Sequence, residues 1–134
     1  MTEHPAPDAP CPCGGGTWSA CCGPYVGAST PAPTAEALMR SRYSAFAVGD
    51  VAHLARTWHP STRPSDLELD DDLAWVRLAV LDTVAGGADD VRGEVEFVAV
   101  HRGPDGRGRL HERSRFVRER GAWFYVDGDV VGEA

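Results

Sequence analysis

The pattern of apolar and polar positions first becomes regular after residue 33, where apolar side chains recur every three or four positions. This spacing predicts a helix with one buried face, because one helical turn takes 3.6 residues. Thr34 is suited to cap the start of this helix and Gly49 to end it. Asp50 then caps a second, shorter helix that Pro60 stops. The apolar positions are Ala35, Leu38, Met39, Tyr43 and Phe46 in the first helix and Val51, Leu54, Ala55 and Trp58 in the second.

From residue 74 onward the pattern changes to stretches rich in β-branched and aromatic residues, which are typical of strands. Short connections that contain glycine separate four such stretches, and connections of this kind favour antiparallel neighbours. Two helices followed by a four-stranded meander predict an α+β fold, with helices packed on one face of a curved antiparallel sheet. The predicted strands are Trp75–Val84, Val91–His101, Arg107–Arg118 and Ala122–Asp127.

The chain before residue 34 lacks this periodicity and divides into three parts by composition. Residues 1–10 are rich in proline and alanine and are predicted to form a flexible tail. Residues 11–23 contain every cysteine and few core-forming side chains, and the prolines of residues 24–33 indicate a linker. We therefore predict one α+β domain at 34–129, a small N-terminal appendage tethered to it, and a short tail at 130–134.

Composition and charge limit the classes of function. With 43% hydrophobic residues, the 134-residue chain can build a core without help from a metal. The formal charge of −7 argues against non-specific binding to nucleic acid. No apolar run approaches the roughly 20 residues of a membrane-spanning helix, and the N-terminus lacks the features of a signal peptide. We expect a cytoplasmic protein without membrane association.

The four cysteines are spaced C-x-C-x7-C-C. Four soft thiolates are the ligand set of a structural zinc site, and closely spaced pairs can supply them from two turns of backbone. The glycines that follow Cys13 allow the tight bend that a small metal loop requires. We predict one structural zinc ion, with no open coordination position for catalysis. Its ligands are Cys11, Cys13, Cys21 and Cys22.

The alternatives to a metal are disulfide bonds and a redox dithiol. Cys21 and Cys22 are neighbours with Cα atoms about 3.8 Å apart, so a bond between them would be strained. Two longer bridges would need an oxidising compartment, which conflicts with the expected cytoplasmic location. A redox dithiol usually has the spacing C-x-x-C beside a βαβ unit, which this sequence lacks. Compartment and spacing together favour zinc.

Several motifs resemble those of a known family. The runs CPCG at residues 11–14 and CCGPY at residues 21–25 resemble the SEC-C zinc motif, although the loop between them is one residue shorter than usual. That motif is named for the C-terminal tail of the SecA translocation ATPase. The runs ALMRSRYSAF, TWHPSTRP, ERSRF and WFYVDG resemble the YchJ family.

The resemblance implies a nuclear-transport-factor-2-like domain, in which helices and a curved sheet form a cone that often encloses a pocket. By analogy with the SecA tail, it also implies that the zinc knuckle docks on a protein or ribosomal partner. It implies no particular enzymatic activity.

Candidate pocket residues follow from the predicted elements. Arg42 lies on the helix face that should pack against the sheet, where an arginine needs carboxylate or carbonyl partners. Glu112 and Ser114 alternate onto the apolar face of the third strand, within reach of Arg42. Asp127 is a second candidate carboxylate, on the face of Tyr125. The predicted pocket residues are Arg42, Tyr43, Trp58, Glu112, Ser114 and Asp127.

Neighbouring polar residues receive structural interpretations. Arg40 and Ser41 fall away from the buried face of the first helix, and His53 is predicted to face outward. His59 is expected to interact with the C-terminal end of the second helix. The spacing of the histidines indicates no second metal site.

Three interpretations of the two sites stay open. In the first, the protein is an interaction module that docks through its zinc knuckle, and the cone binds a small ligand. In the second, it is a small-molecule enzyme that uses acid–base chemistry, with Glu112 or Asp127 as general base beside Arg42. In the third, Arg42 and Glu112 form an ion pair that only fixes helix against sheet. The sequence indicates no substrate, no named partner and no oligomeric state.

Overall fold

The structure, a computed structural model, describes residues 4–26, 30–69 and 72–131. The parts of the predicted tail, linker and C-terminal tail at 1–3, 27–29 and 132–134 lie outside the described residues. A 3-10 turn occupies Trp18–Ala20. The other elements are α1 (Gly23–Val26), α2 (Ala35–Val48), α3 (Val51–Arg56), β1 (Ala74–Ala85), β2 (Arg92–Gly103), β3 (Gly106–Glu119) and β4 (Ala122–Val130).

Helix α2 begins and ends where the sequence predicts, whereas α3 begins as predicted but ends at Arg56, before Trp58 and Pro60. The hydroxyl of Thr34 accepts a hydrogen bond from the backbone N–H of Ala37 at 3.0 Å, which caps α2. Gly49 ends α2 with a φ of 79°, in the left-handed region that favours glycine. The carboxylate of Asp50 accepts from the backbone N–H of His53 at 3.1 Å and so caps α3.

The four strands form one antiparallel meander in the order β1-β2-β3-β4. Alternate residues of β2 and β3 are buried in the same core as the apolar residues of α2, among them Val95, Phe97 and Phe116. The predicted α+β fold with helices on one face of the sheet is therefore confirmed, and we call the unit formed by α2, α3 and the sheet the cone. No helix in the described ranges combines the length and the apolar composition that crossing a bilayer would need.

The pairing of β3 with β4 contains a β-bulge. Arg115 pairs with Asp127, whereas the next residue, Phe116, pairs with Tyr125, so that Val126 is the extra residue. One extra residue interrupts the alternation of side chains between the two faces of a sheet. Asp127 therefore lies on the opposite face from Tyr125.

The N-terminal segment packs on the cone, which corrects the prediction of an appendage on a linker. Trp18 and Val26 are buried in the same hydrophobic core as Leu38 of α2. Residues before the cysteines take part as well: the imidazole of His4 lies 3.0 Å from the carboxylate of Asp50. The described part of the predicted tail is thus held against the folded domain.

Helix α2 is consequently buried on more than one face. One face contacts the sheet, as predicted. Ser41, predicted to point away from the core, has no exposed surface. Arg40 donates a hydrogen bond from Nη1 to the backbone oxygen of Cys13 at 3.3 Å, so its side chain joins the cysteine loop to the helix.

Candidate metal site and cone pocket

The sulfur atoms of the four cysteines converge beside α2, and all four Sγ atoms lie within 4.8 Å of one another. The separation is 3.3 Å between Cys13 and Cys21 and 3.9 Å between Cys21 and Cys22. A tetrahedral site with metal–sulfur bonds of about 2.3 Å has edges of about 3.8 Å, whereas a disulfide bond measures about 2.0 Å. The four thiols can therefore hold one metal ion.

The backbone between the two cysteine pairs folds back on itself as the glycine run predicts. The N–H of Cys11 donates to the carbonyl of Gly16 at 2.7 Å, and Pro10 pairs with Thr17 across the loop. A Cβ atom on Gly15 would lie 2.9 Å from the sulfur of Cys21. The loop therefore needs glycine at this position to leave space for the sulfur cluster.

The electrostatics of the cluster favour a cation. Hydrogen bonds from Cys13 and Cys22 hold the pKa of Cys11 below its usual value, and Ser44 acts in the same direction. Burial raises the pKa of Cys21 to about 12, and hydrogen bonding with Cys11 raises the pKa of Cys22. Without a metal, the thiolate of Cys11 is stabilised by hydrogen bonds from cysteines that remain protonated. A divalent ion would replace those protons.

The cluster is anchored to α2 from one side. Cys11, Cys13 and Cys22 are buried, whereas Cys21 is half-buried. The Sγ atom of Cys11 lies 3.5 Å from the Oγ atom of Ser44, a fully buried residue of α2. The metal site and the cone thus share a helix.

A cavity of about 230 Å³ lies between α2, residue Trp58 and the sheet, and we call it the cone pocket. Met39, Phe46 and Phe116 border the space and do not fill it. Its walls are mostly apolar and aromatic. Five of the six predicted pocket residues line it, namely Arg42, Tyr43, Trp58, Glu112 and Ser114.

Arg42 is only 6% exposed and is held by α3 and by two aromatic rings. Its Nη1 donates to the carbonyl of Leu54 at 2.9 Å and to the hydroxyl of Thr57 at 2.7 Å. The guanidinium carbon lies 5.1 Å from the ring centre of Trp58 and 4.7 Å from that of Tyr125. Burial lowers the pKa of Arg42 to about 10, which leaves the side chain charged at neutral pH.

The direct ion pair between Arg42 and Glu112, one of the three interpretations that the sequence leaves open, does not form. No carboxylate oxygen of the described residues lies within 4.0 Å of the Arg42 guanidinium nitrogens. Oε2 of Glu112 instead accepts from the hydroxyl of Ser114 at 2.6 Å and from the hydroxyl of Tyr125 at 3.3 Å. Tyr125 therefore lies between the two charged groups: its ring covers Arg42, and its hydroxyl donates to Glu112.

Asp127 lies outside the pocket, which corrects its predicted position. The bulge at Val126 turns it to the outer face of the sheet, where it is exposed. There its carboxylate accepts from Nε of Arg115 at 2.6 Å. Strict alternation along β4 led to the error, and nothing in the sequence marks the bulge.

His53, like Ser41, is a buried polar residue that the sequence pattern placed on the surface. It is 2% exposed, not outward-facing, because α3 packs against Ser41 of α2. A guanidinium nitrogen of Arg56 donates to Nδ1 at 3.1 Å, so Nε2 carries the proton and donates to the Ser41 hydroxyl at 2.9 Å. Ser41 in turn donates to the carbonyl of Leu38 at 2.7 Å. With its proton used there, Ser41 is not an activated nucleophile.

His59 lies at the rim of the sheet. Its imidazole contacts the hydroxyl of Ser61 at 2.7 Å and the carboxylate of Glu119 at 3.0 Å. The side chain therefore joins the segment after α3 to the end of β3, and this contact replaces the expected interaction with the helix terminus.

Comparison with known proteins covers both the cysteine segment and the cone. The family model of the YchJ middle NTF2-like domain matches residues 34–128. A UPF0225 protein of Streptomyces coelicolor is 53% identical over 126 residues, covering 93% of this chain and 98% of that protein. A UPF0225 protein of Chromobacterium violaceum is 54% identical over 127 residues, covering 92% and 94%.

Two solved structures have the same fold. The solution structure of a SEC-C motif containing protein from Rhodopseudomonas palustris gives a TM-score of 0.78 at 35% identity and covers 91% of this chain and 98% of that one. The crystal structure of a SEC-C motif containing protein from Psychrobacter arcticus gives 0.71 at 26% identity and covers 93% and 83%.

Proposed function

This chain belongs to the YchJ family, and from that premise we propose that it is a zinc protein whose cone binds a small molecule. The proposal has two parts, a structural metal in the cysteine cluster and a ligand in the cone pocket. Each part has its own support and its own test.

The cysteine cluster supports zinc because four thiolates in a tetrahedron are a common zinc ligand set. The two solved relatives are described as SEC-C motif proteins, which fits the same assignment. With four protein sulfurs around the ion, no coordination position is left for a substrate. We therefore assign the zinc a structural role, which is to hold the cysteine loop against Ser44 of α2.

One observation carries the second part: a buried arginine without a carboxylate partner in the described residues borders a cavity of about 230 Å³. If Arg42 served only to fix helix against sheet, we would expect a direct ion pair and a packed interior. Apolar walls with a few convergent polar groups are typical of ligand sites.

Filling the pocket tests this part. Ala99 of β2 is buried and lines the cavity, so Ala99→Leu should occupy space that a ligand needs. The control is Ala79→Leu, since Ala79 is exposed on the neighbouring strand. We expect fragments that shift the indole N–H signals of Trp58 and Trp75 in NMR spectra of the parent protein and of Ala79→Leu, but not of Ala99→Leu. Equal shifts in both variants would place the fragments elsewhere.

A second candidate function is docking of a protein or ribosomal partner on the knuckle. The observation that favours it is the exposed surface beside the metal cluster, which includes Gly14, Ser19 and Ala20. Because the other side of the knuckle packs on α2, a partner would contact this exposed side. We expect Ser19→Arg with Ala20→Arg to reduce co-sedimentation with ribosomes, whereas Ser65→Arg, an exposed change far along the chain, should not. Unchanged co-sedimentation of the double variant would contradict docking here.

The acid–base enzyme is the weaker alternative. Among the described residues that line the cone pocket, Glu112 is the only carboxylate. Acid–base catalysis uses pairs of titratable groups whose pKa values are set apart, and the second group that the sequence offered, Asp127, is on the outer face. We propose no activity for the pocket.

A further inference from the structure

Three polar groups of the cone pocket have unused hydrogen-bonding capacity towards the described residues. Arg42 makes its two hydrogen bonds through Nη1, which leaves Nε and Nη2 as donors. The hydroxyl of Tyr43 is buried and has no partner, although the residue is only 4% exposed. Glu112 accepts both of its hydrogen bonds at Oε2, which leaves Oε1 as an acceptor.

A buried polar group without a partner, such as the Tyr43 hydroxyl, is costly, so a molecule that satisfies it together with the unused atoms of Arg42 and Glu112 gains affinity. The unused groups are of opposite kinds. Arg42 and Tyr43 need an acceptor on the ligand, whereas Glu112 needs a donor. A head group with only one of these functions would leave the other side of the pocket unsatisfied.

The charges of the pocket exclude a charged head group for the same reason. Arg42 contributes one positive charge and Glu112 one negative charge to the same cavity, and Tyr125 contacts both. An anion would be attracted by Arg42 but repelled by the carboxylate of Glu112. A cation would be attracted by Glu112 but repelled by Arg42. Burying a charged group is unfavourable unless an opposite charge stabilises it, and in this cavity a like charge would lie close by as well.

The volume and the walls set the size of the molecule. A dry apolar cavity of about 150 Å³ accepts benzene, so about 230 Å³ accepts one ring with a short substituent. Phe46, Trp75 and Phe97 line the cavity and offer ring edges and faces to such a ring.

We propose that the cone pocket binds a neutral, single-ring aromatic molecule whose head group both accepts and donates hydrogen bonds, as a carboxamide does. The carbonyl oxygen accepts from Arg42 and Tyr43, and the amide N–H donates to Oε1 of Glu112. This assignment rests on the proposed ligand-binding function of the cone and adds the chemical class of the ligand.

Four probes of one ring size test the assignment: benzamide, benzoate, benzylamine and toluene. Each is titrated into the zinc-loaded full chain near neutral pH, and the indole signals of Trp58 and Trp75 report binding. We expect benzamide to bind at least about 10-fold more tightly than each of the other three, because only it satisfies both kinds of group.

Two substitutions make the test specific. Glu112→Gln keeps the size of the side chain and removes its charge, so we expect the preference for benzamide over benzoate to fall at least about 5-fold. Tyr43→Phe removes one donor and should weaken benzamide at least about 3-fold, with toluene unchanged. The control is Glu119→Gln, which changes a carboxylate outside the pocket and should alter neither value.

The outcomes separate this assignment from the function on which it rests. If benzoate, benzylamine or toluene binds as tightly as benzamide, the ligand class is wrong while ligand binding by the cone stands. If none of the four binds and fragment screening also finds no molecule sensitive to Ala99→Leu, both fail. A benzamide preference that survives Glu112→Gln unchanged would overturn the role of Glu112 and with it the assignment.

Discussion

The Sγ atom of Cys11 lies 3.5 Å from the Oγ atom of Ser44, so the cysteine cluster touches the helix whose other side lines the cone pocket. Ser44 stands two residues after Arg42 and one after Tyr43 on α2. A change in the position of this helix therefore affects both sites. If the cysteines bind the proposed metal and the cone binds the proposed ligand, each binding event would influence the other through α2, and this coupling would be reciprocal.

Ser44→Ala should weaken metal binding. The hydroxyl of Ser44 lies within hydrogen-bonding distance of the Cys11 sulfur. Loss of a residue that hydrogen-bonds to a metal ligand typically lowers metal affinity by about 10-fold or more. Competition with a chromophoric chelator measures the change. Ser65→Ala, at an exposed position, is the control, and equal affinities of the two variants would show that Ser44 does not support the metal.

Removal of the metal should destabilise the cone as well as the cysteine loop. Trp18 and Val26 belong to the same buried core as Leu38 and Trp123, so the N-terminal segment and the cone should unfold together. We expect chelation to lower the midpoint of one cooperative transition, followed by tryptophan fluorescence and by circular dichroism. Two separate transitions, with the later one unaffected by chelator, would contradict a shared core.

The pH dependence of stability should include a contribution from His53. Burial lowers the pKa of His53 to about 4 from an ordinary value of 6.5, and the charges of Arg56 and Arg42 act in the same direction, whereas Asp50 opposes them. As the pH falls from about 6.5 to about 4, the unfolded chain takes up a proton that the folded chain does not. The stabilisation is present above about pH 6.5 and is lost towards pH 4, by on the order of 3 kcal/mol.

Denaturant titrations at several pH values measure this contribution. His53→Gln should flatten the dependence of the free energy of unfolding between about pH 6.5 and 4, whatever its effect on stability at neutral pH. His59→Gln, which changes a histidine outside the core, should keep the dependence. An unchanged slope in His53→Gln would assign the pH effect to other groups.

Arg42→Lys should destabilise the fold by about 2 kcal/mol or more. Lysine keeps the charge but cannot reproduce the planar group that lies between two rings and donates to the Leu54 carbonyl and to Thr57. Arg63 provides a matched control, since it donates to the Ala55 carbonyl of the same helix from an exposed position. Thermal denaturation should place Arg63→Lys within about 0.5 kcal/mol of the parent; similar losses in both would argue against a special role for Arg42.

Gly128→Ala should disturb Glu112. A Cβ atom at this position would overlap the Glu112 carboxylate, which lies over the glycine and accepts from Ser114. We expect a loss of about 1–3 kcal/mol, because the Glu112 side chain must move away from its contacts with Ser114 and Tyr125. Gly87→Ala in the β1–β2 turn meets only the Asp90 carboxylate at 3.4 Å and should cost less than about 0.5 kcal/mol. If ligand binding and stability survive Gly128→Ala, Glu112 is freer than its contacts indicate.

The sequence predicts the secondary structure well because its signals are local. The cap at Thr34, the glycine at 49 and the alternation along β2 and β3 each act within a few residues. Arg42, Glu112 and Ser114 could be assigned to one cavity because helical and strand periodicity decide which face a residue occupies. The four cysteines are recognisable for the same reason, since their spacing is local.

The sequence fails where contacts are distant or where a single residue breaks a period. Ser41 and His53 looked like surface residues because nothing local reveals that α3 and the N-terminal segment cover further faces of α2. Asp127 was placed in the pocket because one extra residue at Val126 reverses the face of every later side chain of the strand. Arg42 contacts the Leu54 carbonyl, the Thr57 hydroxyl and two aromatic rings instead of Glu112. The spacing of residues in the sequence does not reveal which of these partners an arginine will take.

Because the cysteine segment packs on α2, we expect that it does not keep its structure when it is separated from this helix. A truncated chain starting at Thr34 would remove Trp18 and Val26 from the core that contains Leu38, and would deprive Ser44 and Arg40 of their contacts with the cysteine loop. A cysteine segment grafted onto another protein would lack that apolar seat. A chimaera that takes this segment from a relative should therefore fold stably only when the contacting residues of α2 come from the same relative. We expect the helix and the segment to change together in evolution.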